Sequence, residues 1–211
     1  WSDAHVLETR LWASFRAQTL ARTVEGMMYY EAALRLLARL EGVPPHTADE
    51  LVRHKFGYVV AAQVYGRMKK NADAKADDIE RLLHRFPTLR VAYIDEVQLN
   101  REGDSAYYSV LVKSVDEQER ADDAASAGAA DGAAAPTNGT HGPARMIGEV
   151  YRVKLPGNPV IGEGKPENQN HAVIVTRGEY LQAIDMNQDG HVEEALKQRN
   201  LLEEFRPQRD S

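Results

Sequence analysis

The 211-residue sequence contains no cysteine. A disulfide framework and thiolate ligands for a metal are thereby excluded. No run approaches the ~20 apolar residues that cross a bilayer, and these residues show no signal-peptide pattern. Basic charge is not in excess either. Lysines and arginines number 26 against 32 aspartates and glutamates, a formal charge of −6, which argues against a general nucleic-acid binder. What is present is ordinary: 43% hydrophobic and 27% charged residues, enough for one large domain with a real core or two small ones. The chain starts at Trp1 rather than a methionine, with helix-like sequence almost at once, so it reads as a piece of something longer.

Residues Leu7 to Glu41 read as helix, with Gly26 a candidate break. Tyr30, Leu34, Leu37 and Leu40 fall at helical spacing toward a core, and Gly42-Val43-Pro44-Pro45 forms a stop. Within this segment Arg16, Gln18, Thr19 and Arg22 form a polar, cationic strip. Such a strip is either a solvated face or a guanidinium pair that meets diphosphate or acidic groups. A short helix over Asp49–Arg53 leads to an apolar β-rich run, Tyr58 to Val64. Asp77 to Phe86 carries one apolar stripe (Ile79, Leu82, Leu83, Phe86) and reads as helix, and Arg90 to Ile94 as strand. Strand, helix, strand in this space is a βαβ unit with parallel strands. Asp95 and Glu96 then sit at the carboxyl end of a strand, where open α/β sheets bind ligands. They could take a metal, hold a sugar hydroxyl or act as a general base, or cap a turn.

Tyr107 to Lys113 alternates as a strand should. Composition then shifts, with nine alanines among the fifteen residues Ala121 to Ala135, and Asp116 to Ala144 reads as a disordered hairpin insertion. Alternation resumes from Met146 to Leu155, which suggests an antiparallel pair around the insertion. Next comes the polar stretch Gly162-Glu-Gly-Lys-Pro-Glu-Asn-Gln-Asn-His171. Its glycines let backbone approach a ligand, and Lys165 is a compact charge suited to phosphate. Asn168, Gln169 and Asn170 supply amides. The spacing is not that of a P-loop, and a loop whose amides satisfy its own backbone is the plain alternative. His171 reads as a hydrogen-bonded structural group before a direct catalyst. His171–Thr176 and Glu179–Ile184 read as strands of a hairpin turning at Arg177-Gly178. Asp185-Met-Asn-Gln-Asp-Gly-His-Val mimics the start of a calcium loop, but Leu196 stands where the bidentate glutamate belongs. Asp189 reads better as the N-cap of a helix from His191 to Phe205.

Taken together, these stretches resemble a family. Leu11–Tyr30, Lys55–Gln63, Leu89–Glu96, Tyr107–Lys113, Tyr151–Pro159, Gly162–Ala172, Thr176–Glu179, Ile184–Asp189 and Glu193–Phe205 are similar, in order, to the callose synthase and fungal 1,3-β-glucan synthase family. Gly190-His191 is a mild departure from it. The resemblance implies part of the cytosolic catalytic region of a large plasma-membrane protein. The membrane would be reached through segments outside these residues. It implies an inverting, processive glycosyltransferase that moves glucose from UDP-glucose to a growing β-1,3-glucan.

The implied fold is α/β: a GT-A-like mixed sheet with flanking helices, an N-terminal helical segment, and a C-terminal β-hairpin plus helix. The whole chain would be one fragment of a catalytic domain. Its parts would be a helical segment (1–45), a βαβ core (46–115), the insertion (116–144), and the strand, polar loop, hairpin and helix (145–211). Asp95, Glu96 and Lys165 are the expected catalytic residues. Arg16, Gln18, Arg22, Lys55, Glu167, Asn168, Gln169, Asn170 and Asp185 are the expected substrate-binding set. No Asp-x-Asp or Gln-x-x-Arg-Trp motif of other processive synthases is evident, so a divalent cation such as Mg²⁺ stays an open expectation. A small GTPase is a possible regulatory partner, and the rival reading is a non-catalytic scaffold or regulatory module of the synthase complex.

Overall fold

A computed structural model describes residues 15–100, 103–115 and 146–205 and the isolated position 5, with backbone alone at 15–18. The expected insertion at 116–144 lies outside the described residues. The chain divides into two compact units, Trp1–Tyr58 with Gly178–Ser211, and Val59–Arg177.

The first unit is helical: α1 (Phe15–Leu40), α2 (Pro45–Lys55) and, from the C-terminal part, α6 (Val192–Glu204). Helix α1 packs against both others through small residues, burying Ala21, Val24, Ala33 and Ala38 toward Ala48, Val52 and Ala195. Gly26 does not break it. Cβ atoms are absent where α1 meets the chain before α6: one built on Gly26 would lie 2.8 Å from the Gly190 Cα. The glycine serves close approach rather than a bend. Leu40, expected in the core, is 75% exposed because the helix ends there. The Val43 N–H returns to the Ala38 carbonyl and the Gly42 N–H to Arg39, with Gly42 at φ +75°, a Schellman ending. Pro45 then opens α2, a first-turn position that costs no hydrogen bond.

The second unit carries an open four-stranded mixed sheet in the order β1 (Tyr58–Ala61), β2 (Leu89–Gln98), β3 (Ser105–Val115), β4 (Met146–Lys154). The β1-to-β2 crossover holds two helices, an unanticipated α3 (Tyr65–Lys70) and the expected α4 (Ala74–Arg85), started by Asp73 accepting the Lys75 N–H. Strands β2, β3 and β4 run antiparallel, with a bulge in β4 where Leu111 pairs with Tyr151 and Val112 with Glu149. The antiparallel pair expected around the insertion is therefore present. Helices cover both faces. Ala92 and Leu111 meet Val175 of α5 (Lys165–Val175) on one. Tyr93 meets Gly66 of α3 on the other, and strand alternation places Val91 and Val110 there too.

The hairpin expected from 171 to 184 is absent. Residues Lys165–Val175 form α5 instead, and 179–184 carry no regular structure. Pro166 and Glu167 suit the first turn of a helix. Asn168, His171 and Val175 recur at helical spacing on its inner face. The β-branched run that suggested a strand lies largely outside, Val173 being 53% and Ile174 46% exposed. Asp189 is not the cap of α6 either; His191 occupies that position, without a side-chain bond.

Candidate functional site

Strand β1 ends at Ala61 while β2 runs on to Gln98. Asp95 and Glu96 consequently lie inside β2, paired with Tyr108 and Tyr107, rather than beyond its end. On a strand, neighbours point to opposite faces, so the two carboxylates do not form a chelate. Among the described residues no three histidine or carboxylate side chains converge as metal ligands.

Asp95 is clasped by two cations. Lys70 Nζ donates to Oδ1 at 2.8 Å and Arg152 Nη1 to Oδ2 at 3.1 Å. Lys70 also donates to the Glu96 carbonyl, and Arg152 makes a two-pronged pair with Glu149 at 2.8 Å on each side. Partial burial pushes the Asp95 carboxyl up, but the two cations outweigh it and hold it below the ordinary aspartate range. Glu96 accepts the Tyr107 hydroxyl at 3.2 Å.

Beyond the end of β1 opens a cleft of about 720 Å³ lined by Gln63, Arg67, Lys70, Glu96, Gln98 and Asn158 among others. Glycine-rich residues 157–164 border it. Their side chains alternate: Asn158 and Val160 face this cleft, whereas Pro159, Ile161 and Glu163 face a smaller cavity of about 330 Å³ against α5. Glu167 organises this loop. One carboxylate oxygen accepts the N–H groups of Ile161, Gly162 and Glu163 at 2.7, 3.0 and 3.3 Å. Desolvation raises its pKa, and those three donors outweigh it and keep the group below its usual value.

Helix α5 is fixed at two points. Asn168 Oδ1 accepts the Gln63 N–H at 3.2 Å, and its Nδ2 donates to the Ala61 carbonyl at 3.0 Å. The Gln63 carbonyl in turn accepts from Ile94 at 3.2 Å. One turn on, His171 is buried, its Nε2 2.7 Å from Ser109 Oγ of β3, and burial lowers its pKa. Its Nδ1 has no partner among the described residues. That is the structural role expected of it. Gln169 and Asn170 are exposed, and Asn170 lines the smaller cavity.

Lys165, the first residue of α5, is exposed and lines neither cavity. It follows Gly164 at φ +70°, in a helix turn whose own dipole disfavours a cation. Arg22, Lys55 and Asp185 belong to the first unit. Arg22 is exposed on α1 and Lys55 closes α2. Asp185 Oδ1 accepts the Asn187 N–H at 3.1 Å in a turn. Arg16 and Gln18 lie on the first turn of α1, their side chains outside the described set. The structure thus places Glu96 on the cleft with Gln63, Arg67, Lys70 and Tyr107, and Asp95 on the opposite face of β2 with Lys70 and Arg152; patterning singled out neither those cations nor Gln63 and Tyr107. The available signal was the run Arg67-x-Lys69-Lys70 leading out of a strand. It carries no periodic signature because the helix that holds it spans only Tyr65–Lys70.

Comparison with known proteins bears on what this arrangement is. The family model described as "1,3-beta-glucan synthase component" matches residues 1–127 and 137–211, the break falling within the expected insertion. Callose synthase 5 of Arabidopsis thaliana is 44% identical over 232 residues, covering 97% of this chain and 11% of that protein. Callose synthase 9 of the same plant is 45% identical over 219 residues, 97% of this chain and 10% of that protein. Callose synthase 3 is 44% identical over 242 residues, 99% of this chain and 11% of that protein. The chain spans about a tenth of the length of these relatives. A match of this extent decides the affiliation: the chain belongs to the 1,3-beta-glucan synthase component family.

Proposed function

We propose that this chain is part of the sugar-nucleotide-binding region of a UDP-glucose-dependent 1,3-β-glucan (callose) synthase. The reaction transfers glucose to a growing glucan with inversion, and the region sits on the cytoplasmic side of the plasma membrane. Among the described residues no helix is long and apolar enough to cross a membrane, so other segments of the protein would supply the anchor. The mixed sheet with helices on both faces supports a GT-A-like relationship.

One observation carries the reading. Three stretches that share the family resemblance, far apart in sequence, meet at the backbone of one residue: the Gln63 N–H donates to Asn168 Oδ1, and the Gln63 carbonyl accepts the N–H of Ile94, the neighbour of Asp95. A single in-line displacement needs a base on the acceptor hydroxyl and positive charge on the departing diphosphate. Lys165 at the start of α5 supplies that charge, its ammonium and the helix N-terminus both drawing an anion. Asp95, whose two oxygens are taken by Lys70 and Arg152, orients those cations rather than accepting a proton. Glu96, with only a phenol on its carboxylate, is the stronger candidate for the base. Gln169 and Asn170 offer amides to hydroxyls, while Glu167 and Asn168 hold the loop and helix that present them.

Lys165→Ala in the full-length protein tests this. Glucan synthesis from UDP-glucose is expected to be abolished with the protein still expressed. Near-normal polymer output removes Lys165 from the site and favours a scaffold, for which a small GTPase would be the partner to seek.

A further inference from the structure

We propose that the cleft beyond the end of β1 seats the diphosphate of the sugar donor, and that Arg67 is the residue that grips it. This rests on the synthase reading above and gives the diphosphate a subsite in the cleft and a second cation in addition to Lys165.

The cations in and around this cleft differ in whether they are already paired. Around this cleft Lys69 pairs with Glu80 at 2.8 Å. Lys70 is committed to Asp95 and the Glu96 carbonyl. Arg152 is committed to Glu149 and Asp95. The guanidinium of Arg67, exposed on the lining, has no hydrogen-bond or ion-pair partner among the described residues. Its guanidinium therefore keeps a planar fork of five donors, the geometry that takes phosphate oxygens in pairs. An unpaired arginine on a plain surface would be unremarkable. This one lines a concavity of about 720 Å³, large enough for a phosphorylated sugar.

The rest of the lining gives the ligand a direction. Glu96 also faces the cleft and has only the Tyr107 hydroxyl on its carboxylate. Gln98 and Asn158 add neutral amides, and Ile94 and Val97 an apolar wall. A carboxylate repels phosphate but accepts hydroxyl protons. A lining with one unpaired cation and one carboxylate bonded only to a phenol suits a ligand that is anionic in one part and hydroxylated in another. A sugar joined to a diphosphate meets that description; a free oligosaccharide leaves Arg67 without purpose.

The experiment uses the full-length synthase. Arg67→Ala should raise KM for UDP-glucose about 10- to 100-fold, the range for losing a charge-assisted hydrogen bond, with kcat falling less than KM rises. Inhibition by UDP should weaken in parallel. Arg67→Lys should lie between, keeping the charge but losing the fork. An unchanged KM and UDP inhibition in Arg67→Ala overturn the proposal. Hydrogen exchange on the wild-type protein decides the matter even if the variants fail to accumulate. Saturating UDP should slow exchange at residues 63–70 and 94–98. Protection at 162–171 with none at 63–70 overturns this subsite and leaves the synthase reading standing. Protection of 63–70 by a neutral β-1,3-glucan oligosaccharide but not by UDP makes the cleft an acceptor site and also overturns it. No UDP protection anywhere in Val59–Arg177 removes both.

Discussion

Asn168 and Gln63, 105 positions apart, are joined at the point where β1 stops: the Asn168 carbonyl oxygen takes the Gln63 N–H, and its amide reaches back to Ala61. The side chain satisfies two backbone groups that do not bond β2, while the Ala62 N–H and the Gln63 carbonyl carry the ladder on to Ala92 and Ile94. Asn168→Ala should cost about 2 kcal/mol, two net hydrogen bonds at roughly 1 kcal/mol each. Asn168→Asp should cost at least as much, because an anion would then face the Ala61 carbonyl. Hydrogen exchange of the β1 and α5 amides measures both; unchanged protection in either variant would remove Asn168 as the latch.

Gly26 gives a test whose sign decides. In an open helix interior, Gly→Ala stabilises by up to about 1 kcal/mol. At this position the new Cβ would press on the Gly190 backbone at 2.8 Å, and backbone cannot swing aside as a side chain does. Overpacking of this kind costs about 1–3 kcal/mol. Gly26→Ala is therefore expected to lower the melting temperature of the protein, and a rise would show that α1 and the 190 segment are not in contact.

His171 makes the second unit sensitive to acid. Burial holds its folded-state pKa below the unfolded value of about 6.5. In the interval between the two, the unfolded chain binds more protons, so stability rises with pH there. The contribution is complete above about pH 6.5 and is lost as pH falls toward the folded value. Denaturant midpoints measured from pH 7.5 down to 5 should show this decline, and His171→Gln should flatten it while weakening the contact to Ser109. A decline of equal slope in His171→Gln would assign the acid sensitivity to another group.

The sequence was most readable where one period dominates. The α4 stripe of Ile79, Leu82 and Leu83 faces the sheet, and the alternation in Tyr107–Lys113 and Met146–Leu155 pairs as β3 and β4. It misled where side-chain type and position pull apart. Val173, Ile174 and Val175 look like strand, yet Pro166 and Glu167 begin a helix ahead of them and only Val175 turns inward. Asp95 and Glu96 were legible as a pair near the end of a strand. That the pair splits across the two sheet faces follows only once β2 extends to Gln98. Lys70 and Arg152 were invisible as partners of Asp95, because 25 and 57 positions separate them from it and periodicity carries no information over such spans.

The most direct test of the account is the glucan output of Asp95→Asn in the full-length protein. The substitution keeps the side chain's size while removing the charge that Lys70 and Arg152 clasp. If the β2 end beside Gln63 is where the sugar donor is held, UDP-glucose-dependent synthesis should fall by at least about 100-fold at unchanged protein level. Output within about threefold of wild type would place the donor elsewhere.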